Sequence, residues 1–206
     1  MNQAPFSDFY IEFYSGPMNL IGAIVFGDDS TILAIIPPAP TPEILHQNLA
    51  RVHKMIPRAR LCLKGITKAE FKTALEAYCY KGTPLPNIFD PQIALAIGFT
   101  QFQQDCYRQA ALIPHGETRS YSWLATRLKR GRSERAVGGA MKSNPFPLII
   151  PCHRVIKKDG RLGGFLGVSD GDSWELQLKR FLLEIEEQHL QPSLFMSLQA
   201  GHLLRI

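Results

Sequence analysis

The chain has 206 residues, 45% of them hydrophobic, with four cysteines and a net charge of +5. That length suits one large domain or two small ones, and the apolar content suits a core without covalent staples. The cysteines form no CxxC pair, no basic-then-apolar leader opens the chain, and no apolar run approaches the roughly 18 residues of a membrane helix. The expectation is therefore a soluble protein of a reducing compartment with no membrane partner, cytoplasmic or, in a eukaryotic source, nuclear.

The first ninety residues read as α/β. "FYIEFY" (Phe9 to Tyr14) alternates like a half-buried strand, and "NLIGAIVF" follows after a Ser-Gly-Pro turn. "GDDS" is a hairpin-type connection into "TILAII", and Pro37, Pro38 and Pro40 are expected to break that strand. Thr41 can cap a helix from about Pro42. A short strand near "RLCLKG" precedes a helix from Thr67 to about Tyr80, with Thr67 and Glu70 as a capping box. Nothing in this part carries evident chemistry. "KGTPLPNIFDP" (Lys81 to Pro91) is proline-rich and non-periodic and reads as an interdomain linker. The units expected are 1–90, 91–189 and a tail, 190–206.

Beyond the linker the pattern turns helical. Phe102, Cys106 and Ala110 step by four, which makes Cys106 a core residue, and Pro114 and Gly116 end that helix. Two short helices follow, Ser120 to Arg130 and Ser133 to Asn144, with Gly131 in the turn between them, as in a helix-turn-helix. Twelve basic residues stand between Arg108 and Arg161 against three acidic ones (Glu117, Glu134, Asp159), so this stretch is +9 and the rest of the chain −4. Such a stripe fits a polyanion partner, although a solvated basic surface has the same composition.

The second short helix contains Ala136, Gly138, Gly139 and Ala140. Each mid-helix glycine costs about 1 kcal/mol against alanine. A face without bulk permits either tight helix packing or close approach to a nucleic-acid groove, with the neighbouring Arg135 reaching toward the duplex interior. The last helix is expected over Ser173 to His189, capped by Asp172 with Glu175 at the capping-box position. Trp174, Leu178, Phe181 and Ile185 form its stripe, which leaves Glu186 half-buried at the rim. The tail has no functional reading.

"NPFPLIIPCHRVIKKDGRLGG" (Asn144 to Gly164) holds the reactive candidate, Cys152. A nucleophilic thiol needs a lowered pKa or an adjacent base. His153 is next to it, Pro145, Pro147 and Pro151 argue against a regular strand, and Arg154 with its basic neighbours would favour a thiolate. Spacing alone leaves a reactive and a merely buried Cys152 both open. No metal-ligand spacing surrounds it, so no metal is expected at this site, while zinc in the N-terminal part stays open.

"IPCHRVI", preceded by "RAVGGAMKSNPFPLI" and "IPHGETRSYSWLA", resembles the O6-alkylguanine-DNA alkyltransferases, over about Phe99 to Glu187. The resemblance implies an α+β fold: an N-terminal α/β domain with a small antiparallel sheet, and a mainly helical C-terminal domain with a helix-turn-helix and an active-site loop. It implies repair of O6-methylguanine in duplex DNA by transfer of the alkyl group to Cys152, once per molecule, without cofactor. O4-alkylthymine is a further candidate lesion, and a monomer is expected. His153, bridged by water and oriented by Glu186, would take the thiol proton. Tyr121 would neutralise charge on the departing guanine, and Asn144 would sit at the hinge before the active-site loop. Arg135 would fill the gap left by a flipped nucleotide. Ala136, Gly138, Gly139 and Ala140 would meet the groove, and Arg127, Lys129, Arg132 and Lys142 the backbone. Pro147, Val155, Gly163, Gly164, Phe165, Leu166 and Gly167 would form the pocket. Where the family commonly carries Gly-Gly-aromatic-Ser-Gly-Gly, this chain reads "GGFLGV", with Leu166 and Val168 in place of serine and glycine. That narrows the expected adducts toward methyl. Weighed against this are a non-catalytic lesion-recognition module, whose known examples carry tryptophan in place of the cysteine, a transcriptional regulator, and a Cys-His hydrolase.

Overall fold

The computed structural model describes residues 10–17, 20–28, 31–53, 61–63, 65–86, 99–129, 133–169 and 171–190. Strands β1 (Tyr10–Ser15), β2 (Ile21–Asp28), β3 (Thr31–Ala39) and β4 (Leu61–Cys62) form one antiparallel sheet in that order. Every residue of β3 is buried, because both faces of the sheet are covered. Helix α1 (Pro42–His53), its first turn bonded to Thr41 Oγ1, packs Ile44, Leu45 and Leu49 against Ala23, Val25 and Leu33 on one face. Helix α2 (Lys68–Lys81) begins at the expected Thr67–Glu70 capping box, and its Phe71, Leu75 and Tyr78 join Ile24, Phe26, Ile32 and Ile35 on the other.

The prolines do not break β3 as expected. Pro37 and Pro38 lie inside it, opposite the single residue Gly22, where the register with β2 slips between Ile21–Ala39 and Ala23–Ile36. A bulge tolerates proline because the ladder bond is already lost there. Among the described residues the far edge of β3 pairs with β4 only at Thr31 and Ile32. At Ile35 it donates instead to the Pro145 carbonyl (3.0 Å), which ties the sheet to the loop ahead of Cys152.

The C-terminal half comprises α3 (Gln101–Ala111), α4 (Tyr121–Arg127), α5 (Glu134–Lys142) and α6 (Trp174–Leu190). Cys106 is fully buried, as its spacing predicts. A pairing not foreseen, β5 (Arg119–Ser120) parallel to β6 (Val155–Ile156), holds the start of α4 beside the segment that follows Cys152. The α6 cap lies one residue later than expected: Ser173 Oγ, not Asp172, accepts from Leu176 N. The α4–α5 turn (130–132), the 90/91 boundary and the tail from 191 lie outside the described residues. Among the described residues no helix is long and apolar enough to cross a membrane.

Candidate active site

The site starts where α5 ends. Asn144 folds the chain back: its Oδ1 accepts from Phe146 N (3.0 Å), and its Nδ2 donates to the Ile150 carbonyl (2.8 Å) and to Cys152 Sγ (3.3 Å). Asn144 is thus a turn residue that also touches the sulfur. Pro151 then leads into a single 3₁₀ turn, Cys152–Arg154. Cys152 is only 4% exposed and opens on a cavity of about 530 Å³ between α5 and the loop 163–169.

Behind the cysteine lies a buried polar cluster centred on Glu186. Its side chain is fully buried, not half-buried as the stripe implied, because three segments, α2, the loop at Gly116 and the 3₁₀ turn, converge on it. His153 Nε2 stands 2.8 Å from Oε1, Arg154 Nε donates to Oε2 at 2.9 Å, and Gly116 N donates to Oε2 at 2.9 Å. The Tyr78 hydroxyl donates to Oε1 from α2 in the N-terminal half. Burial alone would raise the Glu186 carboxyl, but the hydrogen bonds from His153 and Arg154 and the charge of Arg154 hold it well below the usual range. An ionised carboxylate only accepts, so His153 donates from Nε2 and keeps its lone pair on Nδ1. That Nδ1 is buried and has no partner among the described residues.

Burial pushes the Cys152 thiol up, and this outweighs the help of the Asn144 amide and the Lys179 charge. The expectation that Arg154 favours a thiolate is corrected here, since its guanidinium binds Glu186, the Ile113 carbonyl and His115. Burial also lowers His153, leaving a neutral imidazole next to a protonated thiol. A thiol so placed can act as a nucleophile once a neighbouring base accepts its proton.

The cavity wall is held by Lys179, which the sequence reading missed. It is fully buried, and its Nζ donates to the carbonyls of Val155 (2.6 Å), Leu162 (2.7 Å) and Gly164 (3.0 Å). Burial lowers its pKa to about 8. Its signal was present: Lys179 lies seven residues before Glu186, two turns along the same buried edge of α6. Tyr121 faces the cavity and bonds the Gly164 carbonyl (3.3 Å), its phenol pushed up to about 12 by burial. Gly163, Gly164, Phe165, Leu166 and Gly167 line the cavity as expected, with Met141, Lys157 and Ser169 added. Phe165 and Val168 exchange two backbone bonds across a tight turn, in which Leu166 takes a left-handed conformation (φ 49°) that a leucine rarely adopts. Pro147 and Val155 are corrected: both are buried in the packing behind the wall and line no part of the cavity.

The outer face of α5 is small and basic. Arg135, Ala136, Gly139 and Lys142 are exposed, and Gly138 lines the cavity. A Cβ added at Gly138 or Gly139 would meet nothing within 4 Å, so packing inside the protein does not require either glycine. Ala140 is corrected: it is buried, and its carbonyl accepts from Tyr107, so it faces the core. Arg127 is exposed but held, bonding Gln109 (2.6 Å) and stacking over Trp123 (5.0 Å). Lys129 is exposed. Arg132 lies outside the described residues, and among the described residues no cluster of metal-ligating side chains occurs.

A family described as the DNA-binding domain of 6-O-methylguanine DNA methyltransferase matches residues 101–188. A methylated-DNA–protein-cysteine methyltransferase of Methanosarcina mazei is 38% identical over 122 residues, 59% of this chain and 70% of the relative. Its counterpart in Methanosarcina barkeri is 41% identical over 99 residues, 48% of this chain. The chain spans only 58% of that relative's length. The crystal structure of the Mycobacterium tuberculosis O6-methylguanine methyltransferase superposes with a TM-score of 0.63 at 26% identity, over 91% of this chain and 98% of that one.

Proposed function

Since this chain belongs to the methylated-DNA–protein-cysteine methyltransferase family, we propose that it moves the alkyl group of O6-alkylguanine in duplex DNA, chiefly O6-methylguanine, onto its own Cys152. The observation that carries the reading is a buried thiol at the end of a cavity, bonded by Asn144, next to a histidine whose Nδ1 has no partner among the described residues.

The chemistry follows from the site. His153 Nδ1 takes the thiol proton through an intervening water, and the imidazolium that forms is held through Nε2 by the Glu186 anion. Sulfur then attacks the alkyl carbon in line. A carbon–sulfur bond forms, the bond from carbon to O6 breaks, and its electron pair stays on the guanine. Tyr121 gives the guanine a proton, and the proton shed by Cys152 restores the balance. The product is a thioether with no easy route back to the thiol, so each molecule acts once.

A stacked guanine keeps its O6 group out of reach of a buried sulfur, so the nucleotide is flipped into the cavity at a cost of a few kcal/mol. The open glycine face of α5 lies against the groove, Arg135 enters the gap, and Arg127, Lys129, Arg132 and Lys142 bind phosphates. The protein works as a monomer, without metal or cofactor, in the cytoplasm. Leu166 and Val168 crowd the loop, so methyl is transferred faster than benzyl. Equal rates on O6-methyl- and O6-benzylguanine would remove that point.

The first experiment is intact-protein mass spectrometry with peptide mapping after incubation with duplex DNA carrying one O6-methylguanine. One methyl on Cys152, saturating at one per chain and absent in Cys152→Ala, is the expected result. Tight lesion binding with no mass change would overturn transfer and leave lesion recognition alone.

A further inference from the structure

Tyr78 belongs to the half of the chain that carries no evident chemistry, 108 positions before Glu186. It is fully buried and does not line the cavity. Its oxygen lies 3.0 Å from His153 Nε2, and its hydrogen goes to Glu186 Oε1. Tyr78 Oη, His153 Nε2 and Glu186 Oε1 therefore form a closed triangle. With its own proton committed to the anion, the phenol presents lone pairs to Nε2, and the Nε2 proton lies between two acceptors.

The approach of α2 is specified rather than incidental. Gly82 sits one turn after Tyr78 on the same face, in the left-handed conformation that caps α2 (φ 65°). A Cβ there would collide with the Ile185 carbonyl of α6. The glycine lets α2 close onto α6 at the level where Tyr78 meets Glu186.

We propose that Tyr78 is a positioning residue of the reaction centre: it anchors the Glu186 carboxylate and fixes the proton of His153 on Nε2, leaving Nδ1 as the base for Cys152. The N-terminal half is then a working part of the site. This rests on the transfer reaction proposed above.

Tyr78→Phe keeps the ring and removes the hydroxyl. In a protein that acts once, the final amount of methyl taken up counts competent molecules, whereas the rate constant reports chemistry. The variant should reach one methyl per chain and bind the duplex as wild type does, yet transfer about tenfold more slowly, a fraction of what general-base catalysis supplies. Alkylation of Cys152 by iodoacetamide without DNA should slow to the same extent. On a Glu186→Gln background the change should add less than about twofold, because residues that act through one another are not additive. A reduced final amount with an unchanged rate constant overturns the proposal, as does a full tenfold loss on the Glu186→Gln background. If wild-type protein accepts no methyl from DNA, the repair reading fails on its own. The iodoacetamide rates still decide Tyr78, and equal rates in wild type and variant overturn its role.

Discussion

The two buried regions of this molecule are held by opposite means. The sheet and its helices close over Ile24, Phe26, Ile32, Ile35, Phe71 and Leu75, with stability set by apolar area and fit. Behind Cys152 the buried groups are a carboxylate, a guanidinium, an ammonium, an imidazole and a phenol, each stable only while its partners stay in place. Losing a methylene from the first region costs packing. Losing one partner from the second leaves a charge buried and unpaired. Damage to the apolar region should therefore appear in stability, and damage to the polar one in stability and chemistry together.

The sharpest way to break this comparison is Glu186→Gln. It leaves Arg154 without its anion and replaces one of the two acceptor oxygens around His153 and Arg154 with an N–H donor. We expect the transfer rate to fall about a hundredfold in single-turnover assays and stability to fall by about 3 kcal/mol in urea unfolding. If the rate held while stability fell, the cluster would be structural only.

Ile24→Ala is the counterpart in the sheet. It should cost about 3 kcal/mol of stability from the lost methylenes and the cavity they leave. The rate constant of the molecules that remain folded should match wild type, and a slower rate would show the apolar region coupled to the chemistry.

Acid should act mainly on the polar region. His153 is lowered by burial, so below about 6.5 the unfolded chain takes up a proton that the folded one refuses, and stability falls as pH falls. Glu186 is also depressed, and its contribution is present above an unfolded value of about 4.3 and is lost as pH falls toward its folded value. Urea midpoints between about pH 7.5 and 2 should therefore decline in two stages, the second below about 4.3. Glu186→Gln should remove the lower stage and keep the upper.

The smallest effect has the opposite sign. Gly139→Ala adds a Cβ that meets nothing in the protein, so it should stabilise α5 by about 0.5–1 kcal/mol. Titration with duplex DNA should show weaker binding. Tighter or unchanged binding would remove the case for close approach at this face.

Much of this was legible in one dimension. Caps and periodicity are local, and so the Thr67–Glu70 box, the core-facing Cys106 and the pair of short helices were read close to where they lie. The motifs around the Cys152–His153 pair pointed by resemblance to Cys152 as the candidate acceptor. Proline 37 and 38 misled because a bulge, which depends on the opposite strand, removes the penalty that a lone strand would carry.

The sequence by itself carried the motif whose family resemblance singles out Cys152, and the small, basic character of the α5 surface, since motif and composition require nothing beyond the local chain. Only the tertiary structure decided how burial acts on that thiol. The thiol stays protonated because burial outweighs the nearby cations. Arg154 is turned to Glu186, Lys179 braces the wall, and Tyr78 arrives from the other half of the chain. Burial and the meeting of distant polar groups depend on how the elements pack, and no spacing along the chain encodes them.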